Sequence, residues 1–114
     1  MKSILIIEDE PDIQELLRAY LEDAGYQTTV AGDGVAALER FGAQPFDLVL
    51  LDLMLPKIDG FGVCECIRRQ SQVPILMLTA LDGEETQLRG FRLDIDDYIT
   101  KPFSMPVLLE KIRV

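Results

Sequence analysis

The sequence predicts an open α/β domain with a doubly wound parallel sheet. Five apolar, branched runs alternate with five amphipathic stretches, joined by short links. Leu50, Leu51 and Ile75–Leu78 are apolar without alternation, the pattern of strands buried on both faces of a parallel sheet. No repeat, low-complexity tract or internal linker interrupts the pattern.

In chain order, the predicted strands are Ser3–Ile7, Gln27–Ala31, Asp47–Leu51, Pro74–Leu78 and a short Tyr98–Thr100. The predicted helices are Pro11–Ala24, Gly34–Phe41, Gly60–Arg69, Glu84–Leu93 and Met105–Arg113. The first helix has the clearest signature. Pro11 suits its first turn, Ile13, Leu16, Leu17, Tyr20, Leu21 and Ala24 recur at helical spacing, and Gly25 ends it. The last helix is still in pattern at Ile112-Arg113-Val114, which reads as a domain truncated near the end of that helix.

Composition narrows the function. A chain of 114 residues is the size of one domain with one core. Its 48% hydrophobic content excludes a disordered chain. With 20 acidic and 11 basic residues the net charge is -9, so no basic groove for nucleic acid is expected within these residues. Lys2 and the short ILII run are followed at once by acids, unlike a signal peptide. No apolar stretch approaches a bilayer span, and the expected location is cytoplasmic. Cys64 and Cys66 point to nearly opposite sides of a helix and read as one buried filler and one surface thiol. The absence of histidine removes histidine-based triads, HExxH proteases and most zinc sites.

The polar residues that follow the strands carry the chemistry. Glu8 and Asp9 follow the first, Asp52 the third, Thr79 the fourth and Lys101 the fifth. In an open parallel sheet these ends share one edge, where ligands bind at the topological switch point. Three consecutive acids, Glu8, Asp9 and Glu10, repel one another by roughly 3 kcal/mol per pair at ~5 Å and an effective dielectric near 20. Glu10 and Asp12 lie where a helix N-terminus favours acids, but capping does not call for three in a row. Around Asp52, six of the seven residues from Leu48 to Met54 are apolar, which does not suit an ordinary loop acid. Carboxylates, a backbone carbonyl and water are the ligands Mg²⁺ prefers. An aspartate also serves as nucleophile in aspartyl-phosphate chemistry, with a lysine and a hydroxyl to stabilise the transferred group.

Together the segments IIEDEPD, LLDLMLPKIDG, PILMLTA and DDYITKPF strongly resemble the receiver domain of bacterial two-component response regulators, over essentially the whole chain. The resemblance implies a flavodoxin-like (βα)5 fold with strand order 2-1-3-4-5 and one receiver domain over residues 1–114, any output domain being absent. It implies that Asp52 accepts a phosphoryl group from a sensor histidine kinase with Mg²⁺. Glu8, Asp9, Asp52 and the Met54 backbone carbonyl match the metal site, Lys101 the lysine that pairs with the phosphoryl oxygens, and Thr79 and Tyr98 the switch pair. Such a domain is not an enzyme, although it assists its own phosphorylation and dephosphorylation. The chain is most similar to regulators with a winged-helix DNA-binding output, which implies control of transcription. Their receivers commonly form a phosphorylation-dependent homodimer through the fourth helix, fifth strand and fifth helix, using charged pairs of which Asp96 and Asp97 are present. Here Gln87, Leu93 and Val107 stand where that subfamily usually has charged partners, and Asp94-Ile95 replaces the usual Gly-Ala.

Large apolar residues at Met54 and Leu81 flank the site and are expected to hinder an attacking water, prolonging the phosphorylated state. Three rivals compete with this reading. A haloacid-dehalogenase-type phosphatase needs a second aspartate two residues after its nucleophile, and Met54 stands there. The others are a stand-alone receiver and a receiver-like interaction module that never uses phosphate.

Overall fold

The computed structural model describes residues 2–52, 59–79, 97–100 and 104–113. The chain lays down β1 (Ser3–Ile7), α1 (Pro11–Asp23), β2 (Gln27–Ala31), α2 (Gly34–Ala43), β3 (Leu48–Asp52), α3 (Gly60–Arg68), β4 (Ile75–Thr79), β5 (Asp97–Thr100) and a C-terminal helix, Met105–Arg113. The expected helix Glu84–Leu93 lies outside the described residues. All five strands are parallel, in the order β2-β1-β3-β4-β5, so the flavodoxin-like arrangement holds.

Strand pleating divides the core into two layers. Leu5, Ile7, Val49, Leu51, Ile75 and Met77 pack with Ala37 of α2 and Phe61, Val63, Cys64 and Ile67 of α3. The alternate residues Ile4, Ile6, Leu50, Leu76, Leu78 and Ile99 pack with Leu17 and Leu21 of α1 and Leu108 of the C-terminal helix. Successive strand residues thus serve opposite faces, which is why the central strands read as unbroken apolar runs. Cys64 is buried and Cys66 half-buried, and neither forms a disulfide.

Local chemistry sets the helix ends. Pro11 occupies the first turn of α1, where a missing N–H costs nothing. At the other end Gly25 adopts φ +99°; its N–H donates to the Glu22 carbonyl and the Tyr26 N–H to the Leu21 carbonyl, both at 3.0 Å. These two bonds make a Schellman cap. Asp33 and Asp59 cap α2 and α3, each accepting at 2.8 Å from the N–H three residues on, Ala36 and Gly62.

Two strands are displaced by one residue from the expected bounds. β3 begins at Leu48 rather than Asp47, because the Asp47 carboxylate turns aside to accept the Ser3 N–H at 2.7 Å. β4 begins at Ile75 rather than Pro74, whose nitrogen has no proton to donate. Both strands also run one residue further, so Asp52 and Thr79 are their last residues rather than the residues after them. Placement at strand ends gives both a defined backbone direction.

Candidate functional site

The carboxyl ends of the strands form a stepped edge. Register pairs Ile7 with Leu51, Leu51 with Met77 and Met77 with Tyr98. One step further, Asp52 stands level with Leu78, and one step beyond that Thr79 pairs with Thr100. The sheet order 2-1-3 reverses direction between β1 and β3, so Glu8 and Asp52 flank the switch point where crevices open.

Asp52 is 2% exposed and Glu8 0% exposed. They are the buried charged side chains among the described residues. A carboxylate taken from water demands compensation by hydrogen bonds or by positive charge. The Glu8 N–H continues the β1–β2 ladder to the Ala31 carbonyl at 3.1 Å, and its own carbonyl accepts from the Gln14 side-chain amide. Its Oε1 accepts the Glu10 N–H at 3.4 Å.

Glu8, Asp9 and Glu10 each place a carboxylate oxygen within 4.8 Å of the others. Asp9 and Glu10 are exposed, so water screens their mutual repulsion, whereas Glu8 lies beneath them without that relief. An all-oxygen, negatively charged donor set of this kind suits a hard divalent cation such as Mg²⁺. The donor chemistry therefore fits the metal that the sequence implies.

Glu10 departs from its expected role. It holds the N-cap position of α1, yet its side chain makes no capping hydrogen bond and joins the other two acids instead. Gln14 was not legible as part of the site at all. Its signal is a polar residue one helical turn after the acids, on the side of α1 that faces the strand end. Met54, Leu81 and Lys101 lie outside the described residues, as do the side chains of Thr79 and Tyr98.

A family model described as the response regulator receiver domain matches residues 4–113. The sensory transduction protein RegX3 of Mycolicibacterium smegmatis is 45% identical over 113 residues, covering 99% of this chain and 50% of that protein. The probable transcriptional regulator ycf27 of Porphyridium aerugineum is 46% identical over 112 residues, covering 98% of this chain and 47% of that protein. The chain thus spans about half the length of these curated relatives. Among solved structures, response regulator TrrA of Thermotoga maritima in complex with Mg²⁺-BeF superposes with a TM-score of 0.90. It is 37% identical, and the match covers 99% of this chain and 97% of that one. The motifs at the strand ends, the sheet order and these similarities agree: the chain belongs to the response regulator receiver domain family.

Proposed function

We propose that this domain is a phosphorylation-controlled switch in which Asp52 is the phosphoacceptor. The observation that carries this reading is the burial of Asp52 at the end of central strand β3, level with Glu8 and beside the three-acid cluster. A carboxylate oxygen of Asp52 attacks the phosphorus of a kinase phosphohistidine. The new P–O bond replaces the P–N bond, and the released imidazole takes its proton from solvent. Glu8, Asp9, Asp52 and the Met54 carbonyl would hold Mg²⁺. When bound, the ion supplies positive charge against the phosphoryl oxygens.

Lys101 pairs with the transferred group, and the Thr79 hydroxyl moves towards it. Tyr98 turns into the space Thr79 releases. The added charge biases a pre-existing two-state equilibrium that a partner reads. The domain signals rather than turning over a substrate, although it assists its own phosphorylation and dephosphorylation. A sensor histidine kinase supplies the phosphoryl group in the cytoplasm. Among the described residues no helix is long and apolar enough to cross a membrane.

The output we infer is transcriptional, through a winged-helix domain joined to this one; the name of ycf27 and the half-length match support it. The phosphorylated domain pairs with a second copy through the fourth predicted helix, β5 and the C-terminal helix. Val107, 48% exposed on that helix, supplies an apolar contact there.

Intact mass and oligomeric state after treatment with Mg²⁺ and a small acyl phosphate test the reading, with Asp52→Ala as control. One added phosphoryl group that needs both Mg²⁺ and Asp52 is the expected result. An unmodified parent that also fails to bind beryllofluoride would favour a phosphate-independent interaction module.

A further inference from the structure

We propose that Gln14 is a positioning residue for the metal-binding acids: its amide ties the first turns of α1 to the last residues of β1. The inference rests on the Mg²⁺-dependent switch proposed above.

Four acids and a proline occupy residues 8–12, and their mutual repulsion favours an open segment. Metal binding requires the opposite, several carboxylates kept close before the ion arrives. Gln14 Nε2 donates to the Glu8 carbonyl and so bridges this segment from behind. A carbonyl only accepts, so the amide must present its nitrogen there, and its oxygen is left pointing elsewhere.

Further bonds close the ring. The Gln14 N–H donates to the Glu10 carbonyl at 3.0 Å, the Glu10 N–H to Glu8 Oε1 at 3.4 Å, and the Glu8 N–H to Ala31 at 3.1 Å. The β2–α2 link also stands against the amide, since a Cβ built on Gly32 would lie 3.7 Å from Gln14 Nε2. Half-buried between strand end and loop, Gln14 is placed to hold the acids in register rather than to wave in solvent. Groups that orient metal ligands without touching the metal govern affinity through that orientation.

Calorimetric titration of Mg²⁺ into the parent, Gln14→Met and Gln14→Asn tests this, with metal-free melting temperatures measured beside it. Met matches Gln in length and helix propensity but has no donor; Asn keeps the amide but falls one methylene short. Both variants are expected to bind Mg²⁺ about three- to tenfold more weakly, the effect of losing one hydrogen bond. Their labelling by acyl phosphate should need correspondingly more Mg²⁺ yet reach the parent's plateau rate.

Variants that bind Mg²⁺ as tightly as the parent would overturn the role of Gln14 and leave the switch intact. Unchanged affinity with a lowered melting temperature or a lowered plateau would also overturn it, by showing a structural role alone. A parent without saturable Mg²⁺ binding would overturn the switch reading, and Gln14 with it.

Discussion

The Ile7–Leu51 register pair sets Glu8 level with Asp52, and both carboxylates are buried. Glu8 lies two residues after Ile6 and Asp52 two after Leu50, both of one core layer, so the pleat sends both acids towards the same face. Adjacent strands stand about 4.8 Å apart, close enough for strong repulsion between charges removed from water.

Neutralising one partner should therefore stabilise the metal-free domain while ending its chemistry. For Asp52→Asn the expected gain is about 1 kcal/mol, or roughly 4 °C in melting temperature. The same variant should gain no mass with Mg²⁺ and acyl phosphate. An Asp52→Asn protein that melts below the parent without metal would show that its carboxylate is a net stabilising group.

If the acids form the proposed Mg²⁺ site, the ion should stabilise the fold, since only the folded chain brings them together. At one hundred times its Kd the gain is about 2.7 kcal/mol, on the order of 10 °C for a domain of this size. A chelator should return the parent to its metal-free melting temperature. Glu8→Gln and Asp9→Asn should each remove most of the shift. Glu10→Gln should remove less, since its carboxylate lies at the solvent side of the cluster. A full shift in Asp9→Asn would sink the assignment of Asp9 to the metal.

The sequence revealed β1, β2 and the C-terminal helix residue for residue. In each, a chemically abrupt edge coincides with a structural one: Glu8-Asp9-Glu10 after Ile7, Gly25 before Gln27, and Ser104 before Met105. The starts of β3 and β4 were less legible. Asp47 and Pro74 both touch the neighbouring strand, Asp47 donating its N–H to the Ser3 carbonyl at 2.8 Å and Pro74 accepting from Val49 at 2.9 Å. Neither continues as ladder, and no local pattern says so. At the site, Glu8 and Asp52 stood out because acids adjoin apolar strands. Gln14 did not, because its partner is a backbone carbonyl six residues away, and every residue type carries a backbone carbonyl.

Thr28 in edge strand β2 should be improvable. Its Oγ1 is buried and has no hydrogen-bond partner among the described residues. Valine has the same branched shape, suits a strand equally well and removes the stranded hydroxyl. Thr28→Val should raise stability by about 0.5–1 kcal/mol in a denaturant titration, with an unchanged m-value. A loss of stability would mean that the hydroxyl is satisfied by ordered water.

Two glycines with equally open surroundings should respond in opposite directions to alanine. A Cβ at Gly25 or at Gly42 would meet nothing within 4 Å, so packing does not distinguish them. Backbone does. Gly25 holds φ +99° in the cap of α1, a conformation an L side chain resists, and Gly25→Ala should cost about 1 kcal/mol. Gly42 lies inside the last turn of α2, where glycine contributes only excess unfolded-state entropy. Gly42→Ala should therefore stabilise by about 0.5 kcal/mol, less than at mid-helix because the end of a helix frays. Paired denaturation curves of the two variants separate the effects. If both shift the same way, backbone conformation is not what decides between them, and the Schellman geometry at Gly25 does not govern where α1 stops.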